Sequence, residues 1–265
     1  ALAFCQDGDE ILHANHGFEM YSIVSKVVGA VPKKIKEDVN FNLNIENLID
    51  QTNDATKVIY IASPNNPTGT YLSRDQLVKL MNSISKNIIV VIDGAYVEYV
   101  QKDDYDKGFS LTDEYENIIL TRTFSKTYGL AALRVGWCYT SQKIADIINK
   151  IKPPFNTTTI SQSLAIKALE DKEHIENSVK LNSEIKDWFE KELKLLNIKT
   201  RQTEGNFTLI ETSEEEAEKI SNHLMNDGII IRRLNSYNLP NFLRISIGTK
   251  EEMNLTVESL KKFNV

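Results

Sequence analysis

Between Glu10 and Ile151 the chain alternates short aliphatic, β-branched runs with amphipathic stretches of helical period. EILHA (10–14) precedes a stretch from Phe18 to Val28; KVIYIAS (57–63) precedes Ser73 to Ser85; NIIVVID (87–93) and NIILTRT (117–123) follow; VGWCY (135–139) precedes Ser141 to Ile151. A helix inserted between two strands returns the chain to the end it left, so successive strands run in the same direction. The pattern therefore predicts an α/β fold, a mainly parallel sheet sandwiched by helices. Ser73 with Gln76, Ser213 with Glu216 and Thr249 with Glu252 have the capping-box spacing that marks helix starts. At 265 residues and 41% apolar content the chain has enough material for one large core or two modest ones.

Lys152-Pro153-Pro154-Phe155 interrupts the alternation, because paired prolines cannot continue a helix. We place a boundary there, with a large domain over residues 1–155 and a connecting helix plus a smaller α+β C-terminal domain over 156–265. The connecting helix is expected from about Ser161 to Leu196, with a break near Asp171. Beyond it the pattern gives a strand over Lys199 to Glu211, a helix over Glu214 to Asn226, strands over Ile229 to Arg233 and Phe242 to Ile247, and a helix over Glu251 to Phe263.

Composition narrows the function. Net charge is −6 with acidic and basic residues mixed along the helical stretches, which offers no basic face to nucleic acid or to an anionic membrane. The longest apolar runs, such as Ile88 to Ile92, suit buried strands and are far shorter than a membrane span. Cys5 and Cys138, the two cysteines, lie far apart in apolar surroundings, as expected of buried reduced thiols in a cytoplasmic protein. The opening ALAFCQDGDEIL reads as the end of a helix, a turn at Gly8 and a strand, in place of a charged start and cleavable apolar core. His13, His16, His174 and His223 show no metal-ligand spacing, so no metal is expected.

In an open α/β sheet, ligands gather beyond the carboxyl ends of the strands. Three groups occupy that position: Asn65 and Asn66 in SPNNPTG (63–69), Asp93 in DGAY (93–96), and Lys126 in TFSKTYGLAALRVGW (123–137). SPNNPTG also suits a plain turn. Asp93 ends an apolar run, where an unpaired carboxylate is costly and calls for a cation. Lys126 has hydroxyls at Ser125 and Thr123 before it and Arg134 eight residues after it. Arg244 interrupts FLRISIG (242–248) and Arg232 follows GIII, and buried arginines need anions, either an internal glutamate or a ligand. Arg233, next along an extended segment, is expected to point the other way into solvent.

These four segments, in this order, resemble the motifs of fold-type I aminotransferases that depend on pyridoxal 5'-phosphate, and most closely those of the histidinol-phosphate aminotransferases. The resemblance implies that Lys126 forms the Schiff base and shuttles the proton, and that Asp93 pairs with the protonated pyridine nitrogen. It further implies that Asn66 and Tyr96 contact the phenolic oxygen, that Thr123, Ser125 and Arg134 hold the phosphate, and that Phe18 stacks on the ring. Phe18, an aromatic at a helix start, also suits a core position. Arg244 and Arg232 would bind the anionic groups of small amino and keto substrates. Gly94 departs from the DEAY of many relatives but leaves Asp93 and Tyr96 in place. In the family, the equivalent of ALAFCQDGDEILHA follows an N-terminal arm and a Gly-rich turn that helps hold the phosphate. The resemblance thus implies that about a quarter of the family's length lies upstream of this opening. It also implies a homodimer. An aromatic aminotransferase, a phosphothreonine decarboxylase of the same fold and a noncatalytic remnant are the alternatives.

Overall fold

The computed structural model describes residues 1–263. The first half builds six strands, β1 (Glu10–Ala14), β2 (Val31–Ile35), β3 (Thr56–Ala62), β4 (Ile89–Asp93), β5 (Ile118–Thr123) and β6 (Gly136–Thr140). They form one sheet in the order β2-β1-β3-β4-β5-β6. The first five run parallel, and β6 returns antiparallel to β5. Helices α1 (Met20–Val27), α2 (Ile45–Asp50), α3 (Arg74–Ser83), α4 (Phe109–Glu114) and α5 (Gln142–Ile151) accompany them. Successive residues of one strand serve opposite faces. Leu12, Ile59, Ile61, Val90, Ile92 and Leu120 enter one core, whereas Ile11, Val58, Ile89, Val91 and Ile119 enter another. Both faces of the sheet are therefore covered, as the uninterrupted aliphatic runs require.

The sequence pattern misses β2, whose VPKKI carries a proline and two lysines. It is an edge strand bonded only to β1, so Pro32 withdraws an N–H from the ladder at little cost. β6 is the opposite edge, and this overturns the expectation of a buried Cys138: that thiol is exposed. Cys5 is half-buried, and both cysteines are free.

The paired prolines are followed by α6 (Thr159–Glu170) and α7 (Lys172–Leu195). The break falls at Asp171, whose carboxylate accepts a hydrogen bond from the His174 amide (3.0 Å) and so caps α7. Then come β7 (Lys199–Arg201), β8 (Phe207–Glu211), α8 (Glu214–Asn226), β9 (Arg232–Leu234), β10 (Leu239–Ser246) and α9 (Lys250–Phe263). The four strands make an antiparallel sheet, β7-β8-β10-β9, over a core of Phe189, Leu193, Ile210, Leu224, Leu243 and Leu260. The continuous strand expected over Lys199 to Glu211 is broken at 202–206. There the Thr203 hydroxyl donates to the Phe207 carbonyl (2.6 Å) and the Glu204 amide donates to the Gly69 carbonyl (2.8 Å), turning the backbone toward the first sheet. Two of the three capping boxes close reciprocally, at Ser73 with Gln76 and at Thr249 with Glu252; at Ser213 the hydroxyl accepts from the Glu216 amide (3.2 Å). Among the described residues no helix is long and apolar enough to cross a membrane.

Candidate active site

Because β3, β4 and β5 are parallel and in register, with Ala62 opposite Asp93 and Asp93 opposite Thr121, their carboxyl ends terminate side by side. Asn65 and Asn66, Asp93, and Thr123 to Lys126 thus emerge along a single edge. The Tyr21 hydroxyl, from the first turn of α1, donates to Asp93 Oδ2 at 2.7 Å. Burial pushes the Asp93 carboxyl above the ordinary carboxylate range, opposed by hydrogen bonds from Tyr21, Thr121 and the Ala95 amide and by the charge of Arg122. Among the described residues Asp93 has no ion-pair partner.

The Lys126 amine lies 5.2 Å from the centre of the Tyr96 ring. Although the residue as a whole is exposed, its ammonium is held below the ordinary lysine range, by burial of the amine first and then by the charges of Arg244 and Arg134, with Asp93 acting in the opposite sense. Tyr96, 4% exposed, meets the edge of Phe207 at 5.4 Å and 83°. The Arg244 guanidinium stands 5.3 Å from that same Phe207 ring, and its Nη1 donates to Asn66 Oδ1. A line of contacts therefore runs from Lys126 through Tyr96 and Phe207 to Arg244 and Asn66, joining the two sheets. The internal anion that Arg244 might have had is absent from the described residues; an amide oxygen takes one nitrogen, and the buried Nε has no partner.

The remaining expected residues fall around this line. Thr123 ends β5, and its hydroxyl accepts from the Ser125 amide (3.0 Å). Arg134 follows the 3-10 turn Ala131–Leu133 in a left-handed conformation (φ 50°), exposed, with Nη1 donating to the Ala131 carbonyl (2.8 Å). Phe18 is 36% exposed and meets Tyr21 edge-on (5.8 Å, 90°), so it is not a core residue. Arg232 departs from the expected burial: it opens the edge strand β9 and is exposed. It stands opposite Arg244 in register and so on the same face, and both charges reach Tyr237. Arg233, expected in solvent, instead reaches Glu218 (3.3 Å) with its Nε buried and unpartnered. Among the described residues no cluster of His, Cys, Asp and Glu can hold a metal ion.

Three residues of the site escaped the sequence reading. Tyr21 had a signal, its helical spacing three residues after Phe18. Phe207 had none, since a buried phenylalanine in an apolar strand reads as core. Gly69 abuts Thr203, and neither segment alone predicts that contact. Together the residues offer a buried carboxylate lacking a cation, an amine with weakened proton affinity, and hydroxyls with a guanidinium in the loop after β5. This donor set suits a group that carries a ring cation, an aldehyde and a phosphate.

Comparison with known proteins agrees with that chemistry. The sequence profile of the aminotransferase class I and II family matches residues 1–260. The chain is 40% identical over 265 residues to histidinol-phosphate aminotransferase of Pelagibacter ubique, covering 98% of this chain and 73% of that protein. It is 36% identical to the histidinol-phosphate aminotransferase of Roseobacter denitrificans, covering 99% and 73%. In fold it is similar to the histidinol-phosphate aminotransferase of Sinorhizobium meliloti, solved in complex with pyridoxal-5'-phosphate, with a TM-score of 0.90 and 24% identity over 98% of this chain and 72% of that one.

Proposed function

The chain belongs to the class I and II aminotransferases and, within them, to the histidinol-phosphate aminotransferase family, and we propose that it exchanges an amino group between histidinol phosphate and 2-oxoglutarate. Imidazole acetol phosphate and glutamate are the products. The single observation that carries this reading is the Lys126 amine set above Tyr96, within reach of the opposed charges of Asp93 and Arg244.

Pyridoxal 5'-phosphate, when bound, supplies an aldehyde for covalent attachment and a ring that accepts the electron pair of a deprotonated substrate carbon. Lys126 is the attachment point, and its lowered proton affinity leaves more of the free base that attachment and proton transfer require. Asp93 pairs with the ring nitrogen, and Asn66 and Tyr96 hold the phenolic oxygen. Thr123, Ser125 and Arg134 hold the phosphate. Phe18, 36% exposed, stacks on the ring. Arg244 receives the α-carboxylate of glutamate. Arg232, next to it on the same sheet face and open to solvent, adds a second cation for the phosphate of histidinol phosphate.

We further propose the division at residue 155, a cytoplasmic setting and a homodimer. The free cysteines support the second, and Ile160 and Leu164, one turn apart on α6 and 68% and 44% exposed, support the third. Borohydride reduction in the presence of pyridoxal 5'-phosphate, followed by peptide mass analysis, should find the label on Lys126; a label elsewhere refutes the assignment. Turnover on histidinol phosphate should exceed turnover on phenylalanine, and the reverse order would make the chain an aromatic aminotransferase. Sedimentation should give twice the 30.2 kDa chain mass.

A further inference from the structure

The geometry points to Tyr21 as a positioning residue for the cofactor ring: its hydroxyl holds Asp93 in place as the charged partner of the pyridine nitrogen. This assignment rests on the cofactor reading above, which gives Tyr21 no role.

The hydroxyl is aimed by three contacts from separate elements. The Tyr21 ring lies flat on Tyr60 of β3 (4.7 Å, 0°), tilted against His13 of β1 (6.0 Å, 59°) and edge-on to Phe18 (5.8 Å, 90°). At 6% exposure it leaves little room for water to compete. A phenol has one proton to give, and this one is given to Asp93 Oδ2 at 2.7 Å. Burial, with the Asp93 charge added, pushes the Tyr21 phenol well above its ordinary value, so the proton stays on the tyrosine and the carboxylate remains the acceptor. Asp93 resists ionisation because it is buried, and Tyr21 heads the interactions that favour its charged form. Phe18 and Tyr21 lie three residues apart across the start of α1. The segment that would place an aromatic face on the ring therefore also sets the direction of the group that anchors the ring nitrogen.

A purely structural tyrosine and a positioning one are separated by a cofactor analogue in which carbon replaces the ring nitrogen. Apoprotein is titrated with pyridoxal 5'-phosphate and with this 1-deaza analogue, and thermal unfolding of the apoprotein is recorded alongside. Tyr21→Phe keeps the stacked ring and removes only the donor. It should raise the dissociation constant for pyridoxal 5'-phosphate about tenfold or more, the usual worth of a hydrogen bond to a charged group. The deaza analogue should bind Tyr21→Phe and the unaltered chain equally. Adding Tyr21→Phe to Asp93→Asn should weaken binding no further, a comparison that stands even if the single variant loses stability. Unchanged affinity for pyridoxal 5'-phosphate in Tyr21→Phe, or an equal loss with the deaza analogue, overturns the assignment to Tyr21 alone. Failure of the unaltered chain to take up pyridoxal 5'-phosphate overturns the cofactor reading and this assignment with it.

Discussion

Burial and the charges of Arg244 and Arg134 both weaken the hold of Lys126 on its proton, and pH exposes their combined cost. A folded-state pKa below the ordinary 10.5 means that the unfolded chain binds the proton more tightly, so the lysine's stabilising contribution is present above 10.5 and lost as pH falls through the folded value. Lys126→Met apoprotein should therefore gain thermal stability over the unaltered apoprotein at pH 7. That gain should shrink as pH is raised toward 10.5; a gain independent of pH would mean that the amine is not electrostatically strained. Arg244 lacks an internal anion, so its loss should be felt by substrate more than by the fold. Arg244→Leu should lower kcat/KM for glutamate about 10- to 100-fold, as expected when a carboxylate loses its guanidinium, with the effect carried mainly by KM. Arg244 was legible in the sequence because it is a charge set within an apolar run, which is rare without a reason, and Lys126 through the ordered motifs that resemble those of the aminotransferases. The exposure of Arg232 and the Glu218 partner of Arg233 were not, because both depend on β9 lying at the sheet edge beside α8.

At the scale of elements, the loop after β3 does more than turn the chain. Gly69 has φ 75°, and a Cβ there would fall 2.3 Å from Thr203 Cβ, a backbone-proximal atom of the 202–206 loop. The SPNNPTG composition suits a turn unaided, but the absent side chain is required by a contact with the other sheet. Gly69→Ala should lower unfolding free energy by about 1–3 kcal/mol in urea titration, through left-handed strain and displacement of Thr203 together. A much smaller loss would show that the two loops separate freely. The same contact explains why the expected strand from Lys199 to Glu211 is two strands: residues 202–206 leave the ladder to bond Gly69, and no local periodicity records that.

For the molecule as a whole, the two sheets are joined both at the site and away from it. Tyr96 meets Phe207, Phe41 meets Phe242 (5.2 Å), Arg201 donates to Asn40 Oδ1 (3.2 Å), and Lys102 pairs with Glu204 (3.3 Å). Contacts of this extent should make unfolding one cooperative event. The chain has two tryptophans, Trp137 on β6 at the edge of the first sheet and Trp188 on α7 against the second core. Trp137→Phe and Trp188→Phe, each reporting from the remaining indole, should unfold at the same urea midpoint once each variant's own stability is fitted from circular dichroism. Fluorescence that precedes the dichroism in either variant would show two independent units.

Hydrophobic period, proline punctuation and the placement of polar groups after apolar runs were enough to determine the α/β class, the helix starts, the break at Asp171 and the position of Asn66, Asp93 and Lys126 beyond the strand ends. These are local properties, written in neighbouring side chains, and a single sequence displays them. Strand order, the edges at β2 and β6, and the meeting of Tyr21 with Asp93 and of Phe207 with Tyr96 and Arg244 were decided only in three dimensions. They join residues far apart in the chain, and a buried tyrosine or phenylalanine carries the same local signature whether it only packs a core or also hydrogen-bonds a buried carboxylate.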